Sequence, residues 1–291
     1  GINAFANREL AVLGDLKKAK ESFSQKPKKL VAPLLKGLTM FIKAKIAIGD
    51  VKLENINVYR DPQGNALPKF SDLDGSLSTS FSVKPLVEAW KSLKTVEEPR
   101  QTELIKSVMN RTPISLTSGK ERELYENLVK ACKGVTKITT TQGFTMGSPN
   151  SLLNFFKENS NNLLDIFLNS SEDNYEENFT HYIENLVPKV QLLDIKATAV
   201  SIIKTLIDID DTSYEIEDAL CALLDEGENS PEAKDLVKEG INSKNNNLPP
   251  EDKLSEDSIN LIMDMLCGQV LPDKGGLNRI QTLINQIATP S

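Results

Sequence analysis

The chain is poor in the residues that much enzyme chemistry draws on. It has one histidine, one tryptophan and three cysteines, and only 5% of its 291 residues are aromatic. A single histidine, His181, leaves little for a histidine-based zinc site or a Ser-His-Asp triad. In the run Asn178-Phe179-Thr180-His181-Tyr182 it reads as a surface residue. Cys132, Cys221 and Cys267 are odd in number and far apart, and no Cys-X-X-Cys pair occurs. Free thiols in a reducing, intracellular compartment explain them better than a disulfide framework. There is no long uninterrupted apolar run. The most apolar early stretch, residues 30–48, carries Lys36, Lys43 and Lys45, so it reads as a buried helix and not a membrane span. The chain starts at Gly1 without a methionine or a charged-then-apolar segment, and it is expected to be either processed or excised.

Excess positive charge is also missing. The net charge is -7, which argues against a nucleic-acid partner, since phosphate binding needs a concentrated basic surface. The one local basic stretch, residues 17–29, is interrupted by Pro27 and reads as a solvated loop or helix face.

What is present describes a folded chain, with 39% hydrophobic and 26% charged residues and a length suited to one large or two small domains. With few aromatics, the core is expected to be Leu, Ile, Val and Ala. Leu34, Leu35, Leu38, Phe41 and Ile42 recur at helical spacing, predicting a core-facing helix that ends near Lys45. Ile46-Ala47-Ile48 reads as a short extended run. Ile56-Asn57-Val58-Tyr59 alternates, Asp61-Pro62-Gln63-Gly64-Asn65 is a turn signal, and Leu67-Pro68-Lys69-Phe70 returns, which predicts a hairpin. Further helices are expected over 83–93, 101–110, 118–132, 151–168, 174–186, 192–209, 215–225, 231–239, 255–267 and 277–287. Residues 243–250 are expected to be a loop.

Two polar loops flank the hairpin. Asp50-X-Lys52-X-X-Asn55 precedes it, and Lys69-Phe70-Ser71-Asp72-Leu73-Asp74-Gly75 follows it. Phosphoryl transfer needs positioning and charge neutralisation more than covalent help. An Asp can accept the hydrogen bond of a nucleophilic hydroxyl, a Lys two residues on can reach the phosphoryl group, and an Asn with a second Asp supplies hard oxygen ligands for Mg²⁺.

Ile48-Gly49-Asp50-Val51-Lys52-Leu53-Glu54-Asn55 resembles the H-R-D-L-K-P-E-N catalytic loop of eukaryotic-type Ser/Thr protein kinases, and Asp72-Leu73-Asp74 resembles their metal-binding D-F-G. Thr141-Gln142-Gly143-Phe144-Thr145-Met146-Gly147-Ser148-Pro149 is similar to the substrate-facing segment that ends in A-P-E. Asp194-Ile195-Lys196-Ala197-Thr198-Ala199 is similar to the D-x-W-S-x-G start of the family's central helix. Leu261 to Leu266, Pro272 and Arg279 resemble its closing helices. The resemblance implies a mainly α, kinase-like C-terminal lobe, with a small β-hairpin bearing the catalytic and metal loops and with helical insertions. Its divisions would be leading helices over 1–49, the two loops over 50–75, an extended activation segment over 76–150 and a helical subdomain over 151–291.

By the same resemblance Asp50 is the catalytic base and Lys52 the phosphate contact, while Asn55 and Asp72 hold Mg²⁺ (or Mn²⁺). Ile48, Leu73 and Asp194 support the site, Asp194 by accepting hydrogen bonds from the loop backbone. Gly143, Phe144 and Pro149 face the substrate. The implied reaction transfers phosphate from ATP to a protein Ser/Thr hydroxyl.

Several departures qualify the pattern. Ile48 and Gly49 replace His and Arg, which removes the usual receptor for a phosphorylated activation loop; Ile48 is expected to pack against Leu73 instead. Asp74 stands for Gly, and Asn150 for the A-P-E glutamate, so no ion pair from that position to Arg279 is expected. No glycine-rich G-x-G-x-x-G loop precedes Asp50, so the nucleotide lobe is expected to have been removed, to lie outside this chain, or to be dispensed with. The composition suits a divergent bacterial kinase delivered into a host cytosol. Two alternatives stand beside it: an inactive kinase-like scaffold that binds a protein partner, and a kinase for a lipid or small-molecule hydroxyl.

Overall fold

In a computed structural model the described residues are 12–60, 65–73, 76–80, 82–110, 112–136, 150–207 and 214–288. The architecture is mainly helical, with two small sheets. Strand β1 (Val12–Asp15) leads into α1 (Leu16–Ser24), α2 (Pro27–Lys43) and β2 (Ile46–Ala47). The hairpin is β3 (Ile56–Arg60) and β4 (Ala66–Phe70), followed by β5 (Leu77–Ser78). Then come α3 (Lys84–Leu93), α4 (Glu98–Asn110), α5 (Gly119–Thr136), α6 (Asn150–Asn169), α7 (Tyr175–Leu206), α8 (Tyr214–Glu226), α9 (Pro231–Asn246), α10 (Glu256–Leu266) and α11 (Lys274–Ala288). None of these helices is long and apolar enough to cross a membrane.

Helix α2 begins on Pro27, a residue preorganised for a first helical turn. It buries Leu30, Val31, Leu34, Leu35, Leu38 and Ile42 along one stripe. At Gly37 an added Cβ would stand 3.4 Å from the Phe70 ring, so the missing side chain lets β4 lie close against the helix. In the hairpin, Ile56 and Val58 are buried while Asn57 and Tyr59 are half-exposed, the alternation of a strand with one covered face. Pro68 is tolerated because β4 is an edge strand in the order β1-β3-β4.

Two buried clusters form the core. One gathers α1, α2, the hairpin, the C-terminal half of α7 and α8 to α11. The other gathers α3 to α6 and the N-terminal half of α7, with Ala47 and Leu77. Helix α7 belongs to both, and its buried residues lie on all sides of it, as expected of a helix enclosed by others.

This enclosure overrules a local signal. Separate helices were expected over 174–186 and 192–209, yet α7 runs unbroken through Pro188. Proline removes one intrahelical hydrogen bond at a cost of about 3 kcal/mol, and apolar burial on both flanks outweighs it. Helix α9 likewise runs to Asn246, into the expected loop, where Asn245 Nδ2 donates to Leu254 O and its Oδ1 accepts from Leu254 N. The basic stretch 17–29 forms α1 and the start of α2, with Phe23 and Pro27 buried. The strands β1 and β5 were not foreseen.

Candidate phosphotransfer site

The loop 48–55 leaves β2 and enters β3, while the segment 71–76 leaves β4 and enters β5. Strand β3 pairs with β4, and β2 pairs with β5 through Ile46–Ser78 and Ala47–Leu77. The start of the second connection therefore lies beside the end of the first. Ser71 N donates to Asn55 O at 2.8 Å, tying them directly.

Within the first loop the polar groups converge on Asp50. Its Oδ2 accepts from Lys52 Nζ at 2.9 Å and from Asn55 Nδ2 at 2.8 Å, and Asn55 Nδ2 also lies 3.0 Å from Asp50 O. A tight turn over Leu53–Asn55 brings the amide back to the aspartate. Asp50 Oδ1 is buried and has no hydrogen-bond partner among the described residues. One carboxylate oxygen is thus pinned and the other is left as an acceptor, in a partly buried setting where such a bond is strengthened.

Support comes from beneath. Asp194, midway along α7 and buried, accepts from Ile48 N at 2.6 Å and Gly49 N at 2.9 Å through its two oxygens. Burial pushes its carboxyl up to about 7, against the lowering effect of these two N–H donors, and the nearby Asp50 adds to the rise. Gly49 has φ 79°, where a side chain would be strained. Ile48 and Val51 anchor the loop in the core.

Asp72 is exposed with φ 51°, a left-handed geometry that Asp and Asn tolerate better than most residues. Leu73 departs from expectation. It is 38% exposed and is not part of the cluster that holds Ile48. Leu73 is exposed, and the described support of the loop comes from Asp194 and the core in place of an Ile48–Leu73 stack.

Arg279 pairs with Asp264 and lies 3.4 Å from Gln269 O. The start of α6 is held differently: Asp225 accepts from Asn150 N at 2.9 Å and Ser151 N at 2.7 Å. Partial burial raises the Asp225 carboxyl, but these bonds and Lys196 outweigh it and hold it below the usual range. Asp225→Ala is expected to cost about 1 kcal/mol in chemical denaturation at neutral pH. That difference should fade as the pH falls through the lowered pKa, because protonation removes the anionic cap. Gly143, Phe144 and Pro149 lie outside the described residues. His181 is exposed, and Cys132, Cys221 and Cys267 form no disulfide among the described residues.

Sequence reasoning missed Gln191. Its Nε2 donates to Ile46 O at 3.0 Å and lies 3.4 Å from Ile42 O, joining α7 to the α2–β2 corner. Its position three residues before Asp194 was the available signal. No protein-family model matches the chain, and no match is found among curated proteins or solved structures.

Proposed function

We propose that this chain carries the acceptor and metal side of a phosphotransfer site like that of Ser/Thr protein kinases, set on a kinase-like C-terminal lobe. The observation that carries the reading is Asp50. One oxygen is fixed by Lys52 and Asn55, the other is buried without a partner among the described residues, and the segment bearing Asp72 is tied alongside through Ser71. In this reading Asp50 takes the hydrogen bond of the acceptor hydroxyl and orients its oxygen. Lys52, beside it, balances charge on the transferred group.

Among the described residues no group of three or more His, Cys, Asp or Glu side chains could hold a metal. Mg²⁺ does not need one, since it commonly takes one or two carboxylates together with substrate phosphates. The Asp72 carboxylate and the Asn55 carbonyl are hard oxygen donors on adjacent segments, and they fit it. When bound, the ion would neutralise charge on the phosphates of ATP.

The test is nucleotide binding by the protein's full natural chain. ATP with Mg²⁺ is expected to raise the melting temperature, with a gain of about 2.7 kcal/mol at 100 times Kd. EDTA should remove the shift, and so should Asp72→Asn, which keeps the tolerated backbone geometry. A chain that shows no Mg²⁺-dependent shift is not this kind of enzyme.

A scaffold role is the second reading, favoured by the separate core of α3 to α6 inserted between β5 and α7. It requires that Asp50→Ala leave partner binding unchanged. Labelled-ATP transfer to protein and lipid acceptors separates the acceptor classes.

A further inference from the structure

The described residues also enclose a cleft of about 700 Å³. It is formed where the C-terminal end of α2 meets the middle of α7, the start of α11 and Thr79. Its volume lies within the range of small-molecule sites. Three lysines line it: Lys43 and Lys45 from the α2–β2 corner and Lys274 from the first turn of α11. All three are exposed, and among the described residues none forms an ion pair.

The cleft also contains Glu184 and Asp273. Asp273 is engaged with its own helix, since Gly276 N donates to its Oδ1 at 2.8 Å. Lys45 has φ 55°, the position after a helix end that glycine usually takes. Its main chain is fixed by Lys45 N donating to Ile42 O and Thr79 N donating to Lys45 O. Within the lining the three lysines outnumber Glu184 and the helix-capping Asp273, in a chain of net charge -7. Such local asymmetry concentrates anions regardless of the overall sign.

We infer that this cleft is a binding site for a small phosphate-bearing polyanion, held by Lys43, Lys45 and Lys274. Three ammonium groups around one concavity match a ligand with two or more charged phosphate groups better than a single carboxylate, because each can make its own charge-assisted bond. The site also adjoins the loop support. Gln191 lines the cleft and bonds the α2–β2 corner, and Asp194, three residues on, holds Ile48 and Gly49. Occupancy is expected to steady that corner and, through α7, the loop.

Inorganic pyrophosphate is the probe, titrated by calorimetry in EDTA so that no metal-dependent phosphate contact contributes. One saturable site is expected. Each of Lys43→Gln, Lys45→Gln and Lys274→Gln should weaken it by about tenfold through loss of a charge-assisted bond. Glu184→Gln should tighten it several-fold, an effect that a general loss of structure would not produce, and Asp50→Asn and Asp72→Asn should leave it unchanged. These positions are exposed, and unchanged circular dichroism confirms folding. Absent or unsaturable binding overturns the inference. So does binding that survives the triple lysine replacement, or that is lost with Asp50 or Asp72. Because no metal or nucleotide is involved, the result is independent of the proposed transferase activity.

Discussion

Replacing Asp194 with alanine is expected to destabilise the protein by about 3 kcal/mol, measured by chemical denaturation, because it strands two buried backbone donors. Ile48 N and Gly49 N donate to that carboxylate at 2.6 and 2.9 Å. The loop carrying Asp50 should also lose amide protection at residues 48 and 49. Asparagine is expected to cost less, because it keeps one acceptor oxygen while turning an amide donor towards the other N–H.

The pH dependence gives a second, more selective readout. Burial raises the Asp194 carboxyl to about 7, so between about pH 4 and 7 the native state holds a proton that the unfolded chain has lost. Its contribution to global stability is therefore complete below the unfolded pKa and is lost as the pH rises through about 7. The loop anchor moves the other way. The ionised carboxylate accepts both N–H bonds with two full acceptors, whereas protonation turns one oxygen into an O–H. Protection of the amides at residues 48 and 49, taken relative to their intrinsic exchange rates, should thus fall on acidification from pH 8 to 6, while global stability rises. Asp194→Asn should flatten both trends, and if both persist in that variant, Asp194 is not the titrating group.

The other large effect concerns chemistry. In the protein's full natural chain, Asp50→Asn is expected to lower phosphoryl transfer by about a thousandfold, the usual range for loss of a positioned base. Nucleotide affinity should barely change, because in the proposed site Asp72 and Asn55 face the metal and phosphates. A fall in kcat at constant KM for ATP separates loss of the base from a collapsed site. Transfer at the normal rate would remove Asp50 from the mechanism and leave the scaffold reading standing.

Much of the fold was legible where the code is local. The stripe Leu34, Leu35, Leu38, Phe41 and Ile42 announces α2, and the alternation at Ile56 and Val58 announces β3, because side-chain periods of 3.6 and 2 are written in neighbouring residues. The helix through Pro188 was not legible: a proline read alone ends a helix, and only burial on both flanks reverses that. Leu73 was misplaced for the opposite reason. An apolar residue in a loop has no period, so its burial cannot be read from its neighbours.

The candidate phosphotransfer site divides in the same way. Asp50, Lys52 and Asn55 lie within six residues, and their mutual hydrogen bonds follow from one short loop, so the sequence alone determined that they would meet. That Asp72 comes alongside was decided by tertiary structure, through the pairing of β2 with β5 and of β3 with β4. The same holds for the contact between Ile48 and Asp194, which spans 146 residues. It exists because α7 crosses both cores beneath the loop. Local pattern sets which groups are near one another along the chain, and only burial of the apolar faces of distant elements brings the rest within hydrogen-bond reach.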